Sequence, residues 1–385
     1  MKIMVLGGCG AMGTEATRDL VASNFFEEVV VGDVLEENAA RLCSELGGSA
    51  RPMKVDVTER AGLADAMKPF DLILNCTSYT FGLDITRAAI QARRSLLDLG
   101  GLYNTPRQLE LDGEAREAGI SVVLGMGATP GVTNLMARAA ADRMDRVDEI
   151  HVHFATYRPI APSPGLLQTV LDEFSPETRR FYYEDGRMVD VPPFTGEKGV
   201  AFDAPIGRVK TWFVPHSETH TLSRFIPGVR RVDVRGTWRP EIMSALQNWG
   251  QVGLLSSLPI RVGGADVAPR DILRSLFLGQ PAWPGDDQWS FFLNVEVLGA
   301  RGESRVQAIY NLSHPDGWTA SATGRVTGIP ASIGAQKLAA GEVARTGVMA
   351  PEVAFDPWSF FQDLARRNMA VREEILETRT NRKER

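Results

Sequence analysis

Cysteine is scarce in this chain. Three thiols, Cys9, Cys43 and Cys76, serve 385 residues, far apart and without metal-ligand spacing. That excludes a disulfide framework and fits a reducing compartment. Long apolar runs are also missing, and none approaches the roughly 20 residues that cross a bilayer. There is no basic block apart from the tail "RTNRKER", which reads as a frayed terminus rather than a binding arm. Charge is mixed with a mild acidic excess, so neither nucleic acid nor a membrane is an expected partner. The first residues enter directly on a strand pattern, without the charged, apolar and cleavage regions of a signal peptide. The expectation is a cytoplasmic protein whose length suits about two domains.

What is present first is an alternation of strand and helix. "KIMVLGG" (2–8), "EVVVGD" (28–33), "MKVDV" (53–57), "DLILNC" (71–76), "SLLDLG" (95–100) and "SVVLGMG" (121–127) read as strands, with helical periodicity between most of them. Apolar strands flanked by helices imply a parallel sheet covered on both faces. The turn after the first strand is Gly8-Cys9-Gly10-Ala11-Met12-Gly13, a G-x-G-x-x-G between strand and helix. The first glycine permits the tight turn, the second admits a pyrophosphate, and the third allows close helix packing. The helix start at Ala11 and Met12 offers unpaired amides to that phosphate. Asp33 ends the second strand 20 residues after Gly13, placed to accept hydrogen bonds from the adenosine ribose. No lysine or arginine stands beside it, so NAD is favoured over NADP.

Ligands of such sheets sit outside the carboxyl ends of the strands. Asp56 and Val57 would flank the adenine, Asn75, Cys76 and Thr77 would pass the nicotinamide half, and Gly100 closes the next loop. Tyr79 and Asp98 either face the reacting centre or, respectively, pack on the domain edge and cap a turn. Farther on, Thr129 is a plausible N-cap with Pro130 at the first helical position.

The composition then changes. Segments 149–159, 208–214, 230–238, 289–300, 304–313 and 318–326 have strand character with looser alternation, and 289–313 looks like a hairpin around Gly299 to Gly302. Residues 160–205, rich in proline and glycine, read as irregular or lid-like loops. Helices are expected at 268–279, at 329–344 after Pro330, and at 356–369. The fold class is α/β: a Rossmann-type doubly wound parallel sheet with an inserted second α+β domain of largely antiparallel sheet. The boundaries read as 1–128 plus 330–385 for the dinucleotide domain and 129–329 for the second domain.

The stretches "GGCGAMG", "LLDLGG", "GMGATPGVTNLMA", "HSETHTLSR" and "TGIPASIGAQKLAAGEVARTGVMAPEVAFDPWSFF" resemble the saccharopine dehydrogenase-like family, and within it most of all the lysine 6-dehydrogenase branch. The resemblance runs over nearly the whole chain. It implies a Rossmann domain completed by C-terminal helices, and an inserted domain that binds substrate and forms a homodimer. It further implies NAD(P)-dependent oxidation of an amine, or reduction of an imine. Asn134, in "PGVTN", is carried as a substrate-binding candidate. One departure stands out. The lysine branch has small residues before "TLSR", whereas His216, Glu218 and His220 stand there in this chain.

Read at strand spacing, His216, Glu218, His220 and Arg224 share one face. Three readings compete. A metal site is disfavoured, because alternate strand residues lie about 6.8 Å apart and cannot all reach one ion. A solvated face of mutually paired charges is common. An active-site edge is the third. Amine oxidation needs a neutral amine, and a base titrating near neutrality, such as histidine beside a carboxylate, supplies it. On that reading His216 and Glu218 line the pocket, with His220, Arg224 and Arg158 contacting substrate; an arginine clamps a carboxylate. His151 and His153 read as core or interface residues. The activities considered are amine dehydrogenation, reductive joining of an amine to a carbonyl compound, and dinucleotide binding without turnover.

Overall fold

The computed structural model describes residues 1–101, 104–279 and 289–379. The basic tail lies outside them, past Arg379. The chain divides into two compact units: Met1–Arg143, His216–Pro227 and Gly324–Val371 form the first, and Met144–Pro215, Gly228–Thr323 and Arg372 onward form the second. Residues 129–143 and 216–227 therefore belong to the dinucleotide unit, beyond the expected boundary at 128, and residues from 372 leave it. Among the described residues no helix is long and apolar enough to cross a membrane.

The first unit is built on β1 (Lys2–Leu6), β2 (Glu28–Asp33), β3 (Ala50–Lys54), β4 (Leu72–Asn75), β5 (Ser95–Asp98), β6 (Ser121–Val123) and a last strand, Gly347–Met349. All pair in parallel, in the order β3-β2-β1-β4-β5-β6 and then 347–349. This is the strand order of doubly wound dinucleotide sheets, with its reversal between β1 and β4. Ile3, Met4, Val5 and Leu6 are all fully buried, so both faces of β1 are covered, as its unbroken apolar run requires. On one face Met4, Leu6, Ile73 and Leu96 meet Leu63 and Met67 of α3 (Arg60–Met67) and Ile85 and Ala89 of α4 (Gly82–Ala92). Each such leucine or isoleucine contributes roughly 1.5–3 kcal/mol.

The expected third strand at 53–57 is displaced. The strand is 50–54, and Val55 and Val57 instead pack at its end. The stretch 318–326, read as a strand, is helical: a 3-10 turn (Asp316–Ser321) runs into a helix, Ala322–Ala339, that carries Pro330 inside it rather than at its start. The reason lies in the partner. A Cβ at Gly324 would sit 2.7 Å from Ala11 O, and one at Gly328 would sit 2.7 Å from Ala16 N. These glycines let the helix lie against α1 (Ala11–Ser23), where closeness outweighs the cost of glycine, β-branched residues and proline in a helix.

The second unit carries a nine-stranded sheet. Its centre is β7 (Arg146–Tyr157), flanked in parallel by Arg231–Trp238 and antiparallel by Ser290–Arg301. The outer strands pair antiparallel, and Ser290–Arg301 and Ser304–Ser313 form the expected hairpin. The stretch 160–205 is more regular than expected. It holds a helix, Pro164–Phe174, capped by the Ser163 hydroxyl, then the hairpin Phe181–Glu184 with Arg187–Asp190, and the edge strand Lys198–Ala201.

Candidate active site

The β1–α1 turn builds a cradle. The left-handed residue is Gly7, with φ +69°, so the tight turn falls one position before Gly8. Gly7 and Gly8 amides both donate to Gly32 O. A Cβ on Gly13 would lie 2.9 Å from Gly8 Cα and closer still to Gly7 O, so this third glycine brings α1 onto the turn. Gly10 is the N-cap, with no side-chain cap and no acidic residue in the first turn. The first-turn amides at Ala11, Met12 and Gly13 have no intrahelical partners and are placed for a diphosphate.

Asp33 closes β2. Its carboxylate accepts from Cys9 N and Leu35 N, each at 3.2 Å. Asp56 folds on itself, taking Thr58 N at 2.9 Å and Thr58 Oγ1 at 2.6 Å, and Val57 is half-buried on the core. Asn75 accepts from Thr77 N at 3.0 Å and Thr77 Oγ1 at 2.7 Å, and a Cβ on Gly7 would meet Thr77 at 3.0 Å. Asn75 and Thr77 thus border the glycine turn at the switch point of the sheet. Cys76 beside them is buried, and burial followed by the charge of Asp98 pushes its thiol to about 12. Burial and then Asp33 push Cys9 to about 12 as well. Thiolate is the reactive form, so at pH 8 the folded protein should react with a thiol-disulfide reagent far more slowly than a free cysteine peptide. Unfolding should release all three thiols. Rapid reaction of Cys9 in the native state would contradict this.

Asp98 is engaged by the loops around it. Its buried carboxylate accepts from Gly100 N, Gly125 N and Gln108 Nε2, each at 2.8 Å. Burial pushes it above the ordinary range despite these donors. It clamps the loops after β5 and β6, which is the turn-capping reading. Gly100, with φ +78°, lies in that clamp, where a Cβ would sit 2.7 Å from Pro130. Tyr79 is half-buried and starts a 3-10 turn, and its carbonyl accepts from Asn104 Nδ2 at 2.6 Å.

The stretch 216–224 is not a strand. Glu218–Phe225 is a helix, which sets Glu218, Thr221 and Leu222 on its buried side. His220 is half-buried, and Arg224 points outward over the Phe225 ring. The four side chains therefore do not line one face of a strand. Ser217, just before the helix, donates to Gly101 O at 2.8 Å and lies 2.9 Å from Thr105 Oγ1. This ties the segment to the loop following β5, at the carboxyl edge of the dinucleotide sheet.

His216 and Glu218 remain together. His216 Nδ1 lies 2.8 Å from Glu218 Oε2, and Oε1 accepts from Thr129 Oγ1 at 2.5 Å and Thr133 Oγ1 at 2.9 Å. His216 is 8% exposed and Glu218 is 0% exposed. Burial alone would raise the Glu218 carboxyl. The charge and hydrogen bond of His216, then the Thr129 hydroxyl, outweigh it and hold the group below the ordinary range. An ionised carboxylate only accepts, so Nδ1 carries the proton and Nε2 is the nitrogen at which a proton is gained or lost. Thr129, expected as an N-cap, serves Glu218 instead. The helix α7 (Val132–Ala141) starts after Gly131.

Asn134 is buried. Its Oδ1 takes Gly131 N at 2.9 Å, and its Nδ2 donates to Thr221 Oγ1 at 3.0 Å and Glu352 Oε2 at 2.9 Å. Arg158, in the second unit, is buried and donates to the carbonyls of Pro159, Ile160 and Leu166. Burial lowers it to about 10, its two terminal nitrogens are engaged by main chain, and its Nε is buried without a hydrogen-bond partner. His151 bridges Asp233 and Glu149. His153 meets Asn294 and is held neutral by burial, at about 3. Among the described residues no group of three or more His, Cys, Asp and Glu could hold a metal ion. Thr133 and Glu352 were not singled out in the sequence, since neither stands in a recognisable spacing.

Comparison with known proteins adds the family. The model of the saccharopine dehydrogenase NADP binding domain matches residues 3–123, and that of the saccharopine dehydrogenase C-terminal domain matches residues 127–369. A carboxynorspermidine synthase of Vibrio cholerae is 26% identical over 76% of this chain and 75% of its own. A carboxyaminopropylagmatine dehydrogenase of Synechocystis is 22% identical over 94% and 95%. A saccharopine dehydrogenase (NADP+, L-glutamate-forming) of Pyricularia oryzae is 26% identical over 65% and 58%. In structure, the apo saccharopine dehydrogenase (L-Glu forming) of Saccharomyces cerevisiae shares the fold with a TM-score of 0.69 at 17% identity, over 97% and 99% of the two chains. With the two family models lying end to end over a glycine cradle and its parallel sheet, the chain belongs to the saccharopine dehydrogenase family of dinucleotide-binding amine and amino-acid dehydrogenases.

Proposed function

We propose that this enzyme transfers hydride at a carbon–nitrogen bond of an amino acid or related amine, with His216 as the proton-transferring base and Glu218 as its orienting partner. The observation that carries the reading is the buried His216–Glu218 pair, tethered through Ser217 to the loop after β5. The nicotinamide dinucleotide, when bound, accepts the hydride. The chain's residues do the rest. Amides at Ala11, Met12 and Gly13 hold the diphosphate and Asp33 holds the ribose. His216 Nε2 takes the proton that the substrate ammonium must lose before hydride can leave the adjacent carbon, and loss of that hydride turns the neutral amine into an iminium. In the reverse direction the same nitrogen returns the proton.

The lysine 6-dehydrogenase-like reading makes the donor a primary amine. The relatives named for saccharopine, carboxynorspermidine and carboxyaminopropylagmatine favour a second reading, in which an imine of an amine and a carbonyl compound is reduced. Nicotinamide absorbance separates the two. Lysine, ornithine and diamines are offered with NAD, and the same amines with an oxo acid are offered with NADH or NADPH. Turnover in neither arm, with the dinucleotide bound, would remove the carbon–nitrogen assignment.

Asp33 supports NAD as the preferred dinucleotide. Its carboxylate would stand against a 2′-phosphate, and like charges about 4 Å apart at a protein surface repel by up to about 4 kcal/mol. Asp33→Ser should shift the ratio of kcat/KM for NAD over NADP by about tenfold or more towards NADP. An unchanged ratio would take Asp33 out of cofactor selection.

A further inference from the structure

A second buried carboxyl lies behind the pair. Glu352 opens the short helix Pro351–Ala354 and is 1% exposed. Its Oε2 accepts from Asn134 Nδ2 at 2.9 Å, and Arg138 donates to its main-chain oxygen at 3.0 Å. The same Asn134 nitrogen donates to Thr221, one turn beyond Glu218 on the 218–225 helix, and the neighbouring Thr133 donates to Glu218 itself. Glu352 is thus linked through the Asn134 amide to the helix that carries Glu218, and Thr133 beside that amide holds the Glu218 carboxylate. Its Oε1 is buried with no hydrogen-bond partner. An ionised carboxylate with a bare oxygen in such a place is costly, and a protonated one is not.

We infer that Glu352 is a positioning residue of the proposed site, holding a proton while the His216–Glu218 pair carries its charges. On releasing that proton to solvent, it places a second negative charge behind Glu218 and makes His216 a stronger base. The inference rests on the reading of His216 as the base. Burial is the dominant cause and pushes the Glu352 carboxyl to about 7, against its own main-chain amide, Thr221 and Asn134, with the charge of Glu218 adding a smaller push in the same direction as burial. The other charged or titratable groups on the packed elements are Arg138 of α7, also paired with Asp142, and His220 and Arg224 of the 218–225 helix, Arg224 being exposed.

The test uses the full chain without substrate, so an error in the assigned reaction does not affect it. In the wild type, carbon NMR should show one glutamate carboxyl titrating near 7. In Glu352→Gln that signal should vanish, and the His216 ring should titrate at lower pH, by about half a unit or more. Glu352 is protonated in the fold and ionised when unfolded above the ordinary glutamate range, so folding takes up a proton between about 4.3 and 7. The thermal midpoint of the wild type should therefore fall relative to Glu352→Gln as pH rises through that window. Glutamate signals all titrating at ordinary pH, or superimposable His216 curves with parallel melting profiles, would overturn the inference. If Glu352→Gln does not fold, the wild-type carbon titration decides alone. With the substrate known, the variant should also lose an ionisation near neutrality from its kcat profile at unchanged KM for the dinucleotide.

Discussion

Glu218→Gln should lower turnover by about 10²- to 10⁴-fold, the range over which positioned acid–base groups act, while dinucleotide affinity stays within about twofold. Glutamine keeps the shape of the side chain and can still accept from Thr129 or Thr133, but it removes the charge that steadies His216. If its amide nitrogen turns towards His216 Nδ1, the ring must carry its proton on Nε2 and loses its basic nitrogen. His216→Ala should have an effect of the same size, and the double variant should be no worse than either alone, as residues acting as a unit behave. The pair also has a signature in stability. Glu218 is held below its ordinary range, so its contribution is present above that range and is lost as pH falls through the folded value. Melting of the wild type should therefore drop more steeply in acid than that of Glu218→Gln. Turnover of both single variants near the wild-type rate, on an identified substrate, would remove the pair from the mechanism.

Gly13→Ala should weaken dinucleotide binding by about a hundredfold and cost roughly 1–3 kcal/mol of stability, as overpacking does. The added methyl would be directed into the Gly7 carbonyl and stand 2.9 Å from Gly8 Cα. Both obstacles are backbone, so no side chain can swing aside. Either α1 retreats from the turn, carrying its first amides away from the diphosphate, or the turn itself opens. Gly10 provides the control. The nearest atom to a Cβ there is Gly7 O at 3.3 Å, so Gly10→Ala should be far milder on stability and should act chiefly on the ligand. Calorimetric titration with NAD and NADP, together with thermal melts, reads both effects. Undiminished affinity in Gly13→Ala would sink the phosphate-cradle assignment.

The parts legible in advance are those in which neighbouring residues carry the physics. The strands Lys2–Leu6 and Glu28–Asp33, the glycine turn between strand and helix, Asp33 at its strand end and the hairpin 290–313 all follow from local runs and spacings. The errors arose where a distant partner overruled local preference. The 216–224 stretch alternates as a strand would, but Ser217 is held by Gly101 and Thr105, and Glu218 by Thr129 and Thr133, which favours a helix there. Residues 318–326 look strand-like and Pro330 looks like the start of a helix, yet one helix, 322–339, runs through both because two glycines meet α1. Asp98 and Asn134 had the right chemistry for a site but spend it on backbone amides and on neighbouring side chains. Glu352 gave no signal, because its partners come from segments more than a hundred residues away.

From its order of residues alone, this protein determines a doubly wound dinucleotide sheet, its glycine cradle, the acid that ends the second strand, and the coexistence of His216 with Glu218 in one short stretch. The periodicity of two or of three to four residues, and a glycine's freedom from a Cβ, act over a few positions and are therefore written locally. Only the tertiary structure decided that His216 and Glu218 form a buried hydrogen-bonded pair, that Arg224 is exposed, and that Glu352 is linked to them through Asn134. Burial and hydrogen-bond partners are properties of surfaces brought together by folding, and they set both which groups are charged and which can react.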